Sequence, residues 1–449
     1  MQPAKETSTG HVGSDLLMRT SLQGIAKKAE RLKKHRFQNL YQLLNYSALA
    51  EAWRTSNKRA SAGVDRQTAE EFAKELEQNL TNLTEQLMRK RYRAKLVRRV
   101  EIPKGEGKTR PLGIPVIADK LVQSATAKVL EAIFEQDFCS SSYGYRPRIS
   151  AHTAVKDLSK ELNFGNYKYI VEADIRGFFQ AINHSWLIKM LEQRVDDRAF
   201  IGLIKKWLRA GILQQDGEVT HPATGTPQGG IVSPILANIY LHYVLDLWFE
   251  KVVKAHCTGE AYLCRYCDDF VCAFRYKADA EKFYKALGGR LKKFGLELAE
   301  EKTNVINFNR FEQEQKTSFE FLGFEFRWGI SRKGKRILTR RTSRKKLTKS
   351  LINFKEWCRD NRNKRLRRLF PELNAKLRGY YNYYGLIGNF ASLQEFYEQA
   401  IKILYKWLNR RSQRHSFEWR EFAKALKRYG VLTPKITETR HRQLSFKFG

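Results

Sequence analysis

Asp268 and Asp269 stand side by side in Tyr266-Cys267-Asp268-Asp269, and a third acid, Asp174, closes the apolar run Tyr169-Ile170-Val171-Glu172-Ala173. An adjacent Asp pair alone reads as a solvated turn, because Asp is a common turn residue. Three carboxylates brought together ask for more. They repel, and protonation wins unless a cation neutralises them. Mg²⁺ suits such a cluster: it takes carboxylate oxygens, keeps open positions and accepts substrate phosphates. Two such ions about 3.5–4 Å apart activate a 3′-hydroxyl and stabilise a leaving pyrophosphate. The chemistry is nucleotidyl transfer.

These acids need elements to hold them. Ala261–Phe274 reads as two short apolar arms joined by Cys267-Asp268-Asp269, a β-hairpin with its carboxylates at the turn. Tyr169–Asp174 reads as a buried strand beside that hairpin, and Arg176-Gly177-Phe178-Phe179 as the turn from strand into helix. Upstream, Tyr92–Ile114 predicts another hairpin. Its arms are Val97–Pro103 and Thr109–Ile114, and its Lys/Gly turn 104–108 presents cations and backbone N–H groups that suit a triphosphate. Thr224-Gly225-Thr226-Pro227-Gln228-Gly229-Gly230 is a Gly/Pro-rich turn entering the apolar helix Ile235–Leu241, and such a loop lets a nucleotide or template backbone approach closely.

The 449 residues carry a net charge of +36, which calls for a polyanionic partner, nucleic acid first. An anionic membrane surface is the alternative, but no apolar run approaches the roughly 20 residues needed to span a bilayer. No signal peptide is visible. Six cysteines lie at 139, 257, 264, 267, 272 and 358, with a lone Cys-x-x-Cys pair, so they read as reduced, packed thiols in a cytoplasmic setting rather than a zinc site.

Residues 1–20 read as a flexible polar start. From Leu22 to Trp53 the pattern is helical, with Lys33, Lys34 and Arg36 in a basic run that fits a solvated face or a phosphate backbone. Residues 67–90, 117–138, 184–213 and 278–294 have helical periodicity. Phe319–Phe326 alternates with period two, a strand. Residues 331–370 hold 17 Lys/Arg against two acids, and helices dominate from there on. Ser392-Leu393-Gln394-Glu395 reads as a capping box opening a helix with the stripe Leu393, Phe396, Tyr397, Ala400, Ile401, Leu404, Trp407 and Leu408.

In order along residues 35–430, these motifs resemble bacterial group II intron-encoded reverse transcriptases, or maturases. They are Ile102-Pro103-Lys104 with Lys108–Pro115, Tyr143–Pro147, Asp174-Ile175 with Gly177-Phe178-Phe179, Gly225–Leu241, Tyr266–Asp269, Glu301-Lys302-Thr303 and Phe321-Leu322-Gly323-Phe324. Arg378–Tyr384 resembles the maturase or thumb region of that family.

The resemblance implies an α+β right-hand polymerase: an N-terminal extension and start of the fingers (21–95), fingers (96–170), a palm with an antiparallel sheet (171–330), a helical thumb or maturase region (331–430) and a basic tail (431–449). It implies that Asp174, Asp268 and the backbone carbonyl of Ile175 hold two Mg²⁺ ions, with Asp269 in support. Lys104 and Arg110 would clamp the triphosphate, and Gln228 would meet the incoming nucleotide. Phe179 would exclude a 2′-hydroxyl. Leu322, Gly323, Lys302 and Arg146 would contact primer or template, and Lys33, Lys34, Arg36, Arg340, Arg341, Arg344 and Lys345 would contact RNA. The implied partners are group II intron RNA, an RNA template, a DNA primer and dNTPs. The chain departs from the family at Gln180 and Asn183, where Asp is frequent, and at Cys267, where Ala is frequent. Two further readings stand beside an active polymerase: a maturase that binds intron RNA without catalysis, and a relative recruited to CRISPR, defence or repair work.

Overall fold

The computed structural model describes residues 10–105, 108–312, 317–331, 333–411 and 416–438. The chain divides into two units, one of residues 1–154, 173–272 and 276–304, the other of 155–172, 273–275 and 305–449. The parts of the proposed flexible start and basic tail at 1–9 and 439–449 lie outside the described residues.

In the first unit, β1 (Val97–Gly105) and β2 (Lys108–Ile114) form the expected antiparallel hairpin, in register from Arg98 opposite Ile114 to Pro103 opposite Thr109. Pro111 is tolerated because β2 is an edge strand. Two short strands, β4 (Ile212–Leu213) and β5 (Val219–Thr220), complete the order β2-β1-β4-β5. Helices Ile117–Phe134 and Ser233–Leu241 form the core, and the second is buried at nearly every position, as its all-round apolar sequence requires.

The periodicity over 184–213 is not one helix. Asp197 caps a second start by accepting the Phe200 N–H at 3.0 Å, which leaves helices His184–Leu191 and Arg198–Leu208, and Ile212-Leu213 pairs in a sheet. The 22–53 run is likewise split, into Gly10–Arg31, a short turn at Tyr41–Leu43 and Tyr46–Thr55, and the first of these helices begins inside the stretch 1–20 expected to be flexible.

A second sheet, with order β6-β7-β3-β8, is built from β3 (Tyr169–Ala173), β6 (Ala261–Tyr266), β7 (Asp269–Phe274) and β8 (Asn304–Asn307). In the second unit β9 (Ser318–Phe321), β10 (Phe324–Ile330) and β11 (Arg336–Thr342) form an antiparallel sheet, and Phe319 stacks on Phe326 with centroids 4.8 Å apart. Four helices follow among the described residues: Arg344–Asn361, Leu366–Tyr384, Phe390–Leu408 and Trp419–Arg428. The third has Asn389 at its N-cap, so Ser392 lies buried inside the helix and the expected capping box does not open it. Asn389 is instead engaged in the core, where its amide bonds Thr342 and the Tyr384 carbonyl. Of the expected stripe, Leu393, Phe396, Ala400, Ile401, Leu404 and Leu408 are buried, whereas Tyr397 and Trp407 are half-buried at its edges.

Candidate nucleotidyl-transfer site

Because β3 and β7 are hydrogen-bonded neighbours, the residue after β3, Asp174, and the residue opening β7, Asp269, belong to adjacent strands. Asp268 sits in the two-residue β6–β7 turn. Asp174 and Asp268 are half-buried and Asp269 is exposed. Beyond Asp174 the chain pairs antiparallel with 297–299: the Arg176 N–H donates to Glu297 O at 2.9 Å, and the Ala299 N–H donates to Asp174 O at 2.9 Å. Ile175 faces Leu298 between those two bonds, so its own carbonyl points away from that strand. The carbonyl that the resemblance assigns to a metal thus faces away from 297–299.

Among the described residues, no three His, Cys, Asp or Glu side chains form a ready-made metal cage. Two carboxylates and a carbonyl are fewer than that. This all-oxygen set fits Mg²⁺, which keeps waters and takes further ligands from substrate phosphates.

The turn is held from inside. Arg265 on β6 is fully buried; its Nε and Nη2 each lie 2.6 Å from an Asp246 carboxylate oxygen. Its Nη1 donates to the Cys267 carbonyl at 2.9 Å and to Asn238 Oδ1 at 3.2 Å, and Nη2 also reaches the Ser142 hydroxyl. Residues eight apart on a regular α-helix point about 80° apart around the axis. The π-helical turn His242–Asp246 winds more slowly, which brings Asp246 back to the face of Asn238.

A loop braces the turn from outside. The Arg265 and Tyr143 backbones exchange bonds with Ser141 and Arg265, and Asn238 donates to the Gly144 carbonyl. A Cβ at Gly144 would stand 2.3 Å from the Cys267 nitrogen and 2.4 Å from its Sγ, so only glycine fits. Cys267 takes φ 59° and Tyr145 φ 54°, left-handed values rare for such residues. The Tyr145 hydroxyl donates to the Cys267 thiol. Burial, and then Asp268, push that thiol up to about 12, so it is not an activated cysteine.

The nucleotide-contact candidates assemble near these residues. Phe179 is buried on the short helix Phe178–Ala181, and its carbonyl accepts the Thr226 N–H at 2.8 Å. The Gly225–Gly230 loop continues to Gln228, whose side-chain oxygen accepts from Arg110 Nε at 2.9 Å. Its backbone oxygen accepts the Gly113 N–H at 2.6 Å, so the loop is seated on β2. Lys104 lies on β1 and Lys302 follows in the Glu300–Lys302 turn, and both side chains lie outside the described residues.

Other candidates are engaged within the fold. Arg146 is half-buried and bonded to Glu135 and the carbonyls of Cys139 and Ser142, which explains it as a loop anchor. Lys33 bonds the Gln136 carbonyl, and Arg36 bonds Asp196 at 3.1 Å, while Lys34 is exposed. In the second unit, Leu322 (φ 51°) and Gly323 (φ 80°) form the β9–β10 turn, and Tyr383 donates to the Leu322 carbonyl at 2.9 Å. Arg340 pairs with Glu438 and Arg341 with Glu325, whereas Arg344 and Lys345 are exposed at the start of their helix. Sequence reasoning missed Arg265, Asp246, Asn238 and Tyr145 as site residues. The available signal was an arginine inside an otherwise apolar strand.

All six cysteines are free thiols. No helix among the described residues is long and apolar enough to cross a membrane.

A family profile for reverse transcriptase (RNA-dependent DNA polymerase) matches residues 102–326, and one for the group II intron maturase-specific domain matches residues 345–430. The chain is similar to the group II intron-encoded protein LtrA of Lactococcus lactis subsp. cremoris, 42% identical over 198 residues, which are 43% of this chain and 32% of that protein. It therefore spans about a third of that relative's length. Protein YkfC of Escherichia coli (strain K12) is 33% identical over 309 residues, 61% of this chain and 81% of its own. A putative COX1/OXI3 intron 1 protein of Saccharomyces cerevisiae is 28% identical over 392 residues, 70% of this chain and 46% of its own.

Proposed function

The chain belongs to the group II intron reverse transcriptase family, and from that premise we propose that it is an RNA-directed DNA polymerase that also binds and assists its intron RNA. The observation that carries the enzymatic reading is the pairing of β3 with β7, which sets Asp174 and the Asp268-Asp269 turn on adjacent strands. Asp174, Asp268 and the Ile175 carbonyl would hold two Mg²⁺ ions, with Asp269 beside them. When bound, the ions supply charge neutralisation at the triphosphate and acidify the primer 3′-hydroxyl. Arg110, held by Gln228, would orient the triphosphate, and the Phe179 ring would lie where a 2′-hydroxyl would go.

The maturase reading rests on the match over 345–430 and on the basic run beginning at 331. Backbone phosphates are the natural target of such a surplus.

Primer extension on an annealed RNA template with dNTPs and Mg²⁺ tests the enzyme, with Asp268→Ala as control. Extension by wild type alone is the expected result. A folded, RNA-binding wild type that extends nothing overturns the polymerase reading. Splicing of a group II intron RNA with and without the protein tests the maturase reading, and an unchanged rate overturns it.

A further inference from the structure

We infer that Tyr145 is a specificity-determining residue, whose ring sets the position of Phe179. The inference rests on the polymerase reading and deepens it. Its starting point is a backbone outlier: Tyr145 is a bulky residue held at φ 54°, and such conformations persist only where the surroundings impose them. The surroundings do so here. The Gly144 carbonyl is tied to Asn238, and Gly144 itself lies hard against the Cys267 backbone.

From this strained position Tyr145 reaches two parts of the site. Its ring meets Phe179 edge to face, with centroids 6.4 Å apart and planes at 78°. Its hydroxyl donates to the thiol of Cys267, itself left-handed at φ 59° and next to Asp268. The side chain remains 45% exposed, so it is not a core packing residue. Phe178 supports the Phe179 ring on another side, at 5.4 Å. Tyr145 is the support that also touches the metal-binding turn.

The test measures kcat/KM for dNTP and for rNTP incorporation in wild type, Tyr145→Phe, Tyr145→Leu and Tyr145→Met. Tyr145→Leu lowers the dNTP preference by about three- to tenfold, the size of one edge-to-face aromatic contact. Tyr145→Phe, which keeps the ring, holds the preference near wild type. Tyr145→Met keeps bulk without a ring edge and repeats the Leu result if Leu folds poorly. On a Phe179→Ala background the Tyr145→Leu change adds no further loss, because the two residues act as one unit. A wild type that extends no primer overturns the polymerase reading and this inference with it. Active variants whose sugar preference is unchanged, or additive losses in the double variant, overturn this inference alone.

Discussion

Arg265 and Asp246 form a two-point ion pair with both N–O distances at 2.6 Å, and neither side chain reaches solvent. The same guanidinium holds the Cys267 carbonyl at 2.9 Å, one residue before Asp268. A charge pair at the heart of the first unit thus also fixes the carboxylate turn. Breaking such a pair from one side costs about 3–5 kcal/mol, because the remaining charge is buried alone. Arg265→Met is expected to lose that much in urea unfolding. The double variant Arg265→Met/Asp246→Leu is expected to lose clearly less than the sum of the single changes, since both charges leave together. Additive losses would show that the two residues are not energetically coupled.

His242 gives the neighbourhood of this pair a pH dependence. Burial first, and Arg265 among the lesser causes, hold its imidazole down to about 4, against the opposite pull of Asp246. Its Nδ1 is buried without a hydrogen-bond partner, 4.0 Å from Asp246 Oδ2. The folded state therefore favours neutral His242. The stability this provides is complete above the unfolded value near 6.5 and is lost as pH falls toward 4, by up to about 3 kcal/mol. His242→Phe, which keeps a ring beside Phe138, is expected to flatten the stability curve across that window. An equally steep acid loss in the variant would assign it to other groups.

Much of this was legible in the sequence, and the reasons differ by element. The runs 97–114 and 261–274 identify two hairpins, because short apolar arms around a polar turn fit that form. The alternation over 319–326 reads as one strand, but Leu322 and Gly323, at φ 51° and 80°, break it into β9 and β10. The carboxylates were legible because they end such runs. The clamp on Asp246 was not, because its geometry depends on a π turn that leaves no composition signal. The strain at Tyr145 and Leu322 was hidden as well: neither is glycine, and only tertiary contact makes φ positive there. Ser392 misled because a capping box is a local pattern, and Asn389, fixed by Thr342 from a distant strand, starts the helix earlier.

Gly144 offers a steric test of the same turn. A methyl group there meets the Cys267 amide nitrogen at 2.3 Å, a backbone atom with no freedom to step aside. Gly144→Ala is expected to cost about 1–3 kcal/mol as overpacking. It should also displace Asp268, and a displacement near 1 Å lowers the chemical step about a hundredfold. Single-turnover extension separates the two effects: nucleotide affinity stays close to wild type while the maximal rate falls. Unchanged rate with reduced stability would mean that the loop yields instead of the turn.

Basic residues in the second unit divide by what already holds them. Arg340 is paired with Glu438 and bonded to the Ile387 carbonyl, and Arg341 is paired with Glu325. Arg344 and Lys345 extend from the first turn of their helix into solvent. Charge reversal at the first pair should act on folding, and at the second pair on RNA. Each phosphate contact contributes about 0.7–0.9 to the slope of log K against log salt. Arg344→Glu with Lys345→Glu is thus expected to weaken RNA binding and flatten that slope by about 1.5, with little change in melting temperature. Arg340→Glu is expected to lower the melting temperature and leave the slope nearly intact. Filter binding across a salt series, with thermal unfolding of the same samples, distinguishes the two classes, and an unchanged slope in the Arg344/Lys345 variant would move the RNA off this helix start.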